Sequence, residues 1–188
     1  MSGIVGSRFN TRGSGLVGSL GSDGQVFTSS GAGVGAVFET ASSAITTPAF
    51  GATQSGTVSG VGDGSISKIL CDTEIFDTDS AYDPSTNYRF TVPSGGAGKY
   101  IFYWCAKIRS ATLHNLRASE ILLRENGSTI CSNNASYNQN LALQYFSTAF
   151  WVVDSAEDDY YEVFGQPSVD SGTGDINNGR FFGFRLAE

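Results

Sequence analysis

Acidic side chains crowd one short stretch of the chain. In "DSAEDDYYE", residues 154 to 162, Asp154, Glu157, Asp158, Asp159 and Glu162 set five carboxylates within nine positions. Paired carboxylates can divide acid and base roles, and several hard oxygens can hold calcium. The spacing is not that of a helix-loop calcium site, and a run of like charges at a turn is ordinarily a solvated face. The single histidine, His114, has no partnered nucleophile, and Cys71, Cys105 and Cys131 form no close pair with it or with one another. Neither a catalytic triad nor a zinc set is therefore legible. Glycines are plentiful, but "GSGLVGS" lacks the preceding strand and following helix that make a phosphate cradle. The expectation is a protein that is not an enzyme and uses no metal or cofactor.

Recognition chemistry is better represented. The run "CSNNASYNQN", residues 131 to 140, offers Asn133, Asn134, Tyr137, Asn138, Gln139 and Asn140. Amides with an aromatic among them suit hydrogen bonding and stacking on sugar or peptide surfaces, and the plainer reading is a long surface loop. A second loop candidate is "SVDSGTGDINNG", residues 168 to 179. The triplets at Asn126 and Asn134 match a glycosylation pattern and are read as turn residues.

These groups need a scaffold, and composition divides the chain in two. Residues 1 to 65 hold 15 of the 24 glycines but only four of the 23 aromatic residues. A glycine-rich arm over 1–40 carries scattered apolar side chains, among them Phe9, Leu16, Leu20, Val26, Phe27 and Phe38. Alone it should be mobile or only locally structured; a linker rarely needs such side chains, so they are read as anchors ordered by a partner. Residues 41–65 are a Gly/Ser/Thr-rich connector, and the head domain spans 66–188. The net charge of -7 does not concentrate phosphate backbones, which disfavours nucleic acid as a partner. No apolar window is long enough to span a bilayer and the N-terminus lacks a secretory signal, so synthesis in a cytoplasm without membrane insertion is expected. Three widely spaced cysteines read as buried thiols.

In the head, alternation predicts strands. "GKYIFYWCAKI", residues 98 to 108, puts Tyr100, Phe102, Trp104, Ala106 and Ile108 on one face and Ile101, Tyr103, Cys105 and Lys107 on the other. Both faces are largely apolar. "FSTAFWVV", residues 146 to 153, poses the same problem, with Phe146, Phe150 and Val152 opposing Ala149, Trp151 and Val153. A sandwich partner covers one face of each; the other needs a further layer, which a neighbouring subunit can supply. Further strands are expected at 68–76, 88–92, 120–131, 160–164 and 180–186, with Asn126-Gly127 as a hairpin turn and very little helix.

On "YDPSTNYRFTVP", "GKYIFYW", "FWVVDSAEDDYYEVF" and the closing "FFGFRL", the head resembles the C1q and tumour-necrosis-factor superfamily. The resemblance covers residues 69 to 188 and maps an early Phe onto Phe76, the turn onto Asp83, Pro84, Ser85 and Thr86, and the strands onto Phe90, Pro93, Gly98, Tyr100, Phe102, Phe182, Gly183, Phe184 and Leu186. It implies an all-β, ten-stranded jelly-roll β-sandwich and a homotrimer. "PSGGAGKY" is two residues longer than the family pattern and no collagen repeat precedes the head, so the animal complement branch is not implied. The arm, through "GQVFTSSGAG" and Phe38, is similar to tail-fibre and decorating-protein segments of tailed bacteriophages. Together the two resemblances imply a structural virion protein: a short trimeric fibre or head decoration. Its arm would join other phage structural proteins or help assemble the trimer, and its head would touch a host surface glycan or protein. The alternative is a free or cell-surface C1q-like ligand-binding module.

Overall fold

The computed structural model describes residues 25–28, 37–40, 47–112, 114–136 and 143–187, and these contain strands and turns but no helix. The chain divides into two compact units, Met1–Ile45 and Thr46–Glu188. In the first, β1 (Gln25–Thr28) pairs antiparallel with β2 (Val37–Thr40), setting Phe27 opposite Phe38 and Val26 opposite Glu39. Local structure is thus present in the arm. Phe9, Leu16 and Leu20 lie outside the described residues.

The second unit runs through β3 (Ala49–Thr53), β4 (Thr57–Val61), β5 (Ser67–Lys68), β6 (Thr73–Asp77), β7 (Tyr82–Asp83) and β8 (Arg89–Thr91). It continues with β9 (Gly98–Ser110), β10 (Leu116–Glu125), β11 (Ser128–Ser136), β12 (Gln144–Ser155), β13 (Tyr160–Val169) and β14 (Gly174–Ala187). One sheet has the order β12-β9-β14-β3-β6, with β4 also on β14. The other has β11-β10-β13-β8-β7, with β5 also on β13. Every pairing is antiparallel, and the last strand sits centrally, between β9 and β3. This is the jelly-roll sandwich expected from the sequence.

An aromatic core joins the sheets. Phe50 of β3 stacks on Phe90 of β8 at 4.6 Å and on Tyr82 of β7 at 5.0 Å, and meets Phe181 of β14 edge-on at 4.8 Å. Tyr100, Phe102, Trp104 and Ile108, the face of β9 expected inside, are all fully buried. Each such large side chain contributes about 1.5–3 kcal/mol through burial alone. The Asn126-Gly127 turn joins β10 to β11 with φ of 49° and 82°, the paired left-handed conformation that matches strand twist.

Three expectations need correction. Residues 49–61 are not connector: β3 and β4 belong to the head, and Phe50 lies at its centre. The thin composition there has a packing reason, since a Cβ on Gly51 would sit 2.6 Å from Phe182 and 2.7 Å from Phe76. The stretch 68–76 is not one strand, because β5 pairs with β13 in one sheet and β6 with β3 in the other. The chain crosses between sheets at 69–72, burying Ile69 and Cys71 on the way. Finally, 131–136 is the end of β11 rather than loop, and 174–179 is already β14.

Candidate functional site

The two sheets finish their outer faces differently. On the β11-β10-β13-β8-β7 sheet, Phe164 is flanked by the Arg124 guanidinium at 4.3 Å and the Lys68 ammonium at 5.7 Å, and Arg89 lies over Tyr160 at 4.3 Å. Lys68 in turn donates to Glu162 at 2.6 Å. Cationic stems and heads cover the rings and leave charge toward water.

Among the described residues, no cation lies over the rings of the β12-β9-β14-β3-β6 sheet. Ile101 and Tyr103 of β9 stand in register with Val152 and Phe150 of β12 on one side, and with Phe184 and Phe182 of β14 on the other. Gly51 then leaves room for the rings to meet Phe76, which lies 6.4 Å from Phe182 and 6.0 Å from Phe184, while Tyr103 lies 6.1 Å from Phe182. The band is open to solvent: Phe150 is 68% exposed, Val152 47% and Phe184 42%. Ile75 and Leu186 are exposed as well. Of the two apolar faces read on β9, one is buried in the sandwich, and on the other Cys105 is buried while Tyr103 is exposed among the described residues. A contiguous aromatic face of this kind marks an interaction surface.

The acidic run does not converge. Asp154 pairs with Lys99 at 2.6 Å, Glu162 with Lys68, and Asp159 accepts from the Ala156 N–H and the Asn126 amide, both at 2.7 Å. No cluster of three metal-ligating side chains exists among the described residues. His114 is exposed in a turn. Burial pushes the Cys71 thiol up to about 12 and also raises Cys105 and Cys131, so all three stay protonated near neutral pH and are poor nucleophiles.

Asn133 and Asn134 lie exposed on β11, the edge strand of its sheet, opposite Ile121 and Glu120. Asn133 donates its amide to the Thr148 carbonyl at 2.7 Å, bridging β11 to β12, and Asn134 accepts from the Ser136 hydroxyl at 2.9 Å. The bridging amide therefore holds the flank of the sandwich. Tyr137, Asn138, Gln139 and Asn140 lie outside the described residues.

A cleft of about 340 Å³ beside β7 and β8 was not anticipated. Its lining includes Asp79, Ser80, Arg89, Thr91, Pro93 and Asp158, drawn from three separated stretches. Asp83 on its wall closes the "DPSTN" turn: its carboxylate accepts from the backbone N–H groups of Ser85, Thr86 and Asn87 at 2.9, 2.9 and 3.0 Å. Those bonds hold its pKa well below the usual carboxylate range.

No protein-family profile matches the chain, and no curated relative does. Solved structures do resemble it. The globular domain of zebrafish complement 1qA is 15% identical, with a TM-score of 0.52, covering 75% of this chain and 98% of its own. Murine APRIL is 13% identical, with a TM-score of 0.53, covering 75% of this chain and all of its own. The head is thus a jelly roll of the C1q and tumour-necrosis-factor type.

Proposed function

We propose that the chain is a non-enzymatic, homotrimeric structural protein of a tailed-phage virion, a short fibre or decoration protein anchored by its arm and presenting the jelly-roll head to the host surface. The observation that carries the assembly is the exposed band of Tyr103, Phe150, Val152 and Phe184 around the half-buried Phe182 on one sheet, set against the cation-covered Phe164 and Tyr160 rings of the other. Closed rotational symmetry lets each copy cover the same band on its neighbour. Threefold assembly is what the C1q-like resemblance implies. The virion role rests on the arm's resemblance, with Gly24, Gln25, Val26, Phe27, Thr28 and Ser29 in the motif.

The test is paired. Native mass at low concentration should give three copies; a monomer would reject the assembly. Purified particles should contain the chain; a trimer absent from particles would favour instead a free or cell-surface ligand-binding module of the same fold.

A further inference from the structure

We propose that the cleft beside β7 and β8 is a binding site for a neutral saccharide. Two of its lining side chains, Arg89 and Asp158, make no hydrogen bond among the described residues, whereas Asp79 accepts from the Thr78 hydroxyl and Asn87 donates to Asp83. The Arg89 guanidinium lies over the Tyr160 ring, 4.3 Å from its centre, and donates to no group among the described residues. Asp158 is fixed through its backbone, whose N–H donates to the Val92 carbonyl at 3.1 Å, while its carboxylate accepts nothing among the described residues. Asp83, by contrast, is spent on its own turn.

The ligand class follows from what remains. A donor fork and a free carboxylate on the lining of one cleft suit vicinal hydroxyls, which can accept from one and donate to the other. Pro93 supplies an apolar wall for the C–H face of a sugar ring, and the cleft is large enough for a small ligand. Asp79 and Asp158 oppose an acidic sugar, and Arg89 opposes a free amine, so a neutral ring is favoured on charge. Calcium is a poor alternative, because no three carboxylate, imidazole or thiol groups converge among the described residues. Ser80 and Asp158, both lining the cleft, and Tyr88 next to Arg89 have φ of 53°, 70° and 51°. Non-glycine residues kept in this sparsely populated region are concentrated where a site is being shaped.

The cleft lies beside β7 and β8, in the other sheet from the strands that carry the aromatic band. The assignment rests on reading the head as a surface-contacting module, but not on its presence in particles, and each can fail without the other.

The experiment is an NMR titration of the full-length protein with methyl glycosides of glucose, galactose and mannose and with N-acetylglucosamine. Glucuronate and glucosamine serve as charged comparators. At least one neutral sugar should shift the Arg89, Thr91 and Asp158 amides saturably. Arg89→Gln and Asp158→Asn should each weaken that binding by about tenfold, the loss of a charge-assisted hydrogen bond, while leaving amide shifts elsewhere in place. The proposal is overturned if no neutral sugar binds, if both variants bind as tightly as the unsubstituted protein, or if a charged comparator binds more tightly than every neutral sugar.

Discussion

Asp83 shows how one side chain can serve structure in a place where its charge invites a functional reading. Its carboxylate caps three successive N–H groups of the 83–87 turn and is held ionised by them, with a depressed pKa. Asp83→Ala should destabilise the head by about 1 kcal/mol at neutral pH, as for other carboxylate caps. The sign of the pH effect follows from the depression. The stabilisation is fully present above the unfolded value near pH 4 and is lost as pH falls toward the lower folded value. Urea melts of both proteins at stepped pH should therefore converge in acid. A gap that stays constant would show that packing rather than charge closes the turn.

At the scale of elements, β3 decides where the head begins. It pairs with β14 on one side and β6 on the other, and it brings Phe50 into contact with rings from both sheets. Gly183, across from Phe50, cannot carry a side chain there, since a Cβ would stand 2.7 Å from the Phe102 ring. A chain starting at residue 66 loses this strand and its phenylalanine, a loss of about 3–5 kcal/mol from the side chain alone, against a total of about 5–15 kcal/mol for a domain. Residues 46–188 should fold cooperatively, and 66–188 should not, as read by near-ultraviolet circular dichroism and thermal melting. A cooperative melt from the shorter chain would remove β3 from the essential core.

For the whole molecule, the difference between the two outer faces is what points to assembly. Cations screen the Phe164 and Tyr160 rings on one face, while on the other the exposed Phe150 and Phe184 flank Tyr103 and Ile101. Carboxylates on both flanks should prevent association without touching the core. Phe150→Glu combined with Phe184→Glu is expected to yield a monomer by native mass, with its near-ultraviolet spectrum retained. Burial of each ring in an interface contributes about 1.5–3 kcal/mol, and three copies accumulate the loss. A double variant that remains trimeric would move the interface to another surface.

Much of the molecule is written locally. Alternation over 98–108 and 146–153 specifies strands with two apolar faces, Asn126-Gly127 specifies a tight hairpin, and the Asp83 turn is set by hydrogen bonds within five residues. These features depend on neighbours in sequence, so they are readable without a fold. Long-range packing decided the rest. Phe50 stands alone among Gly, Ala and Thr and has no periodic partners, so its burial shows only when β8 and β14 close over it. Residues 68–76 read as one strand candidate, yet the chain changes sheets midway. The cleft joins Arg89 to Asp158 across 69 positions, and the cationic cover on Phe164 joins Lys68 to Arg124 across 56. Periodicity tells which faces are apolar, but which of them stays bare depends on the side chains the fold sets beside it.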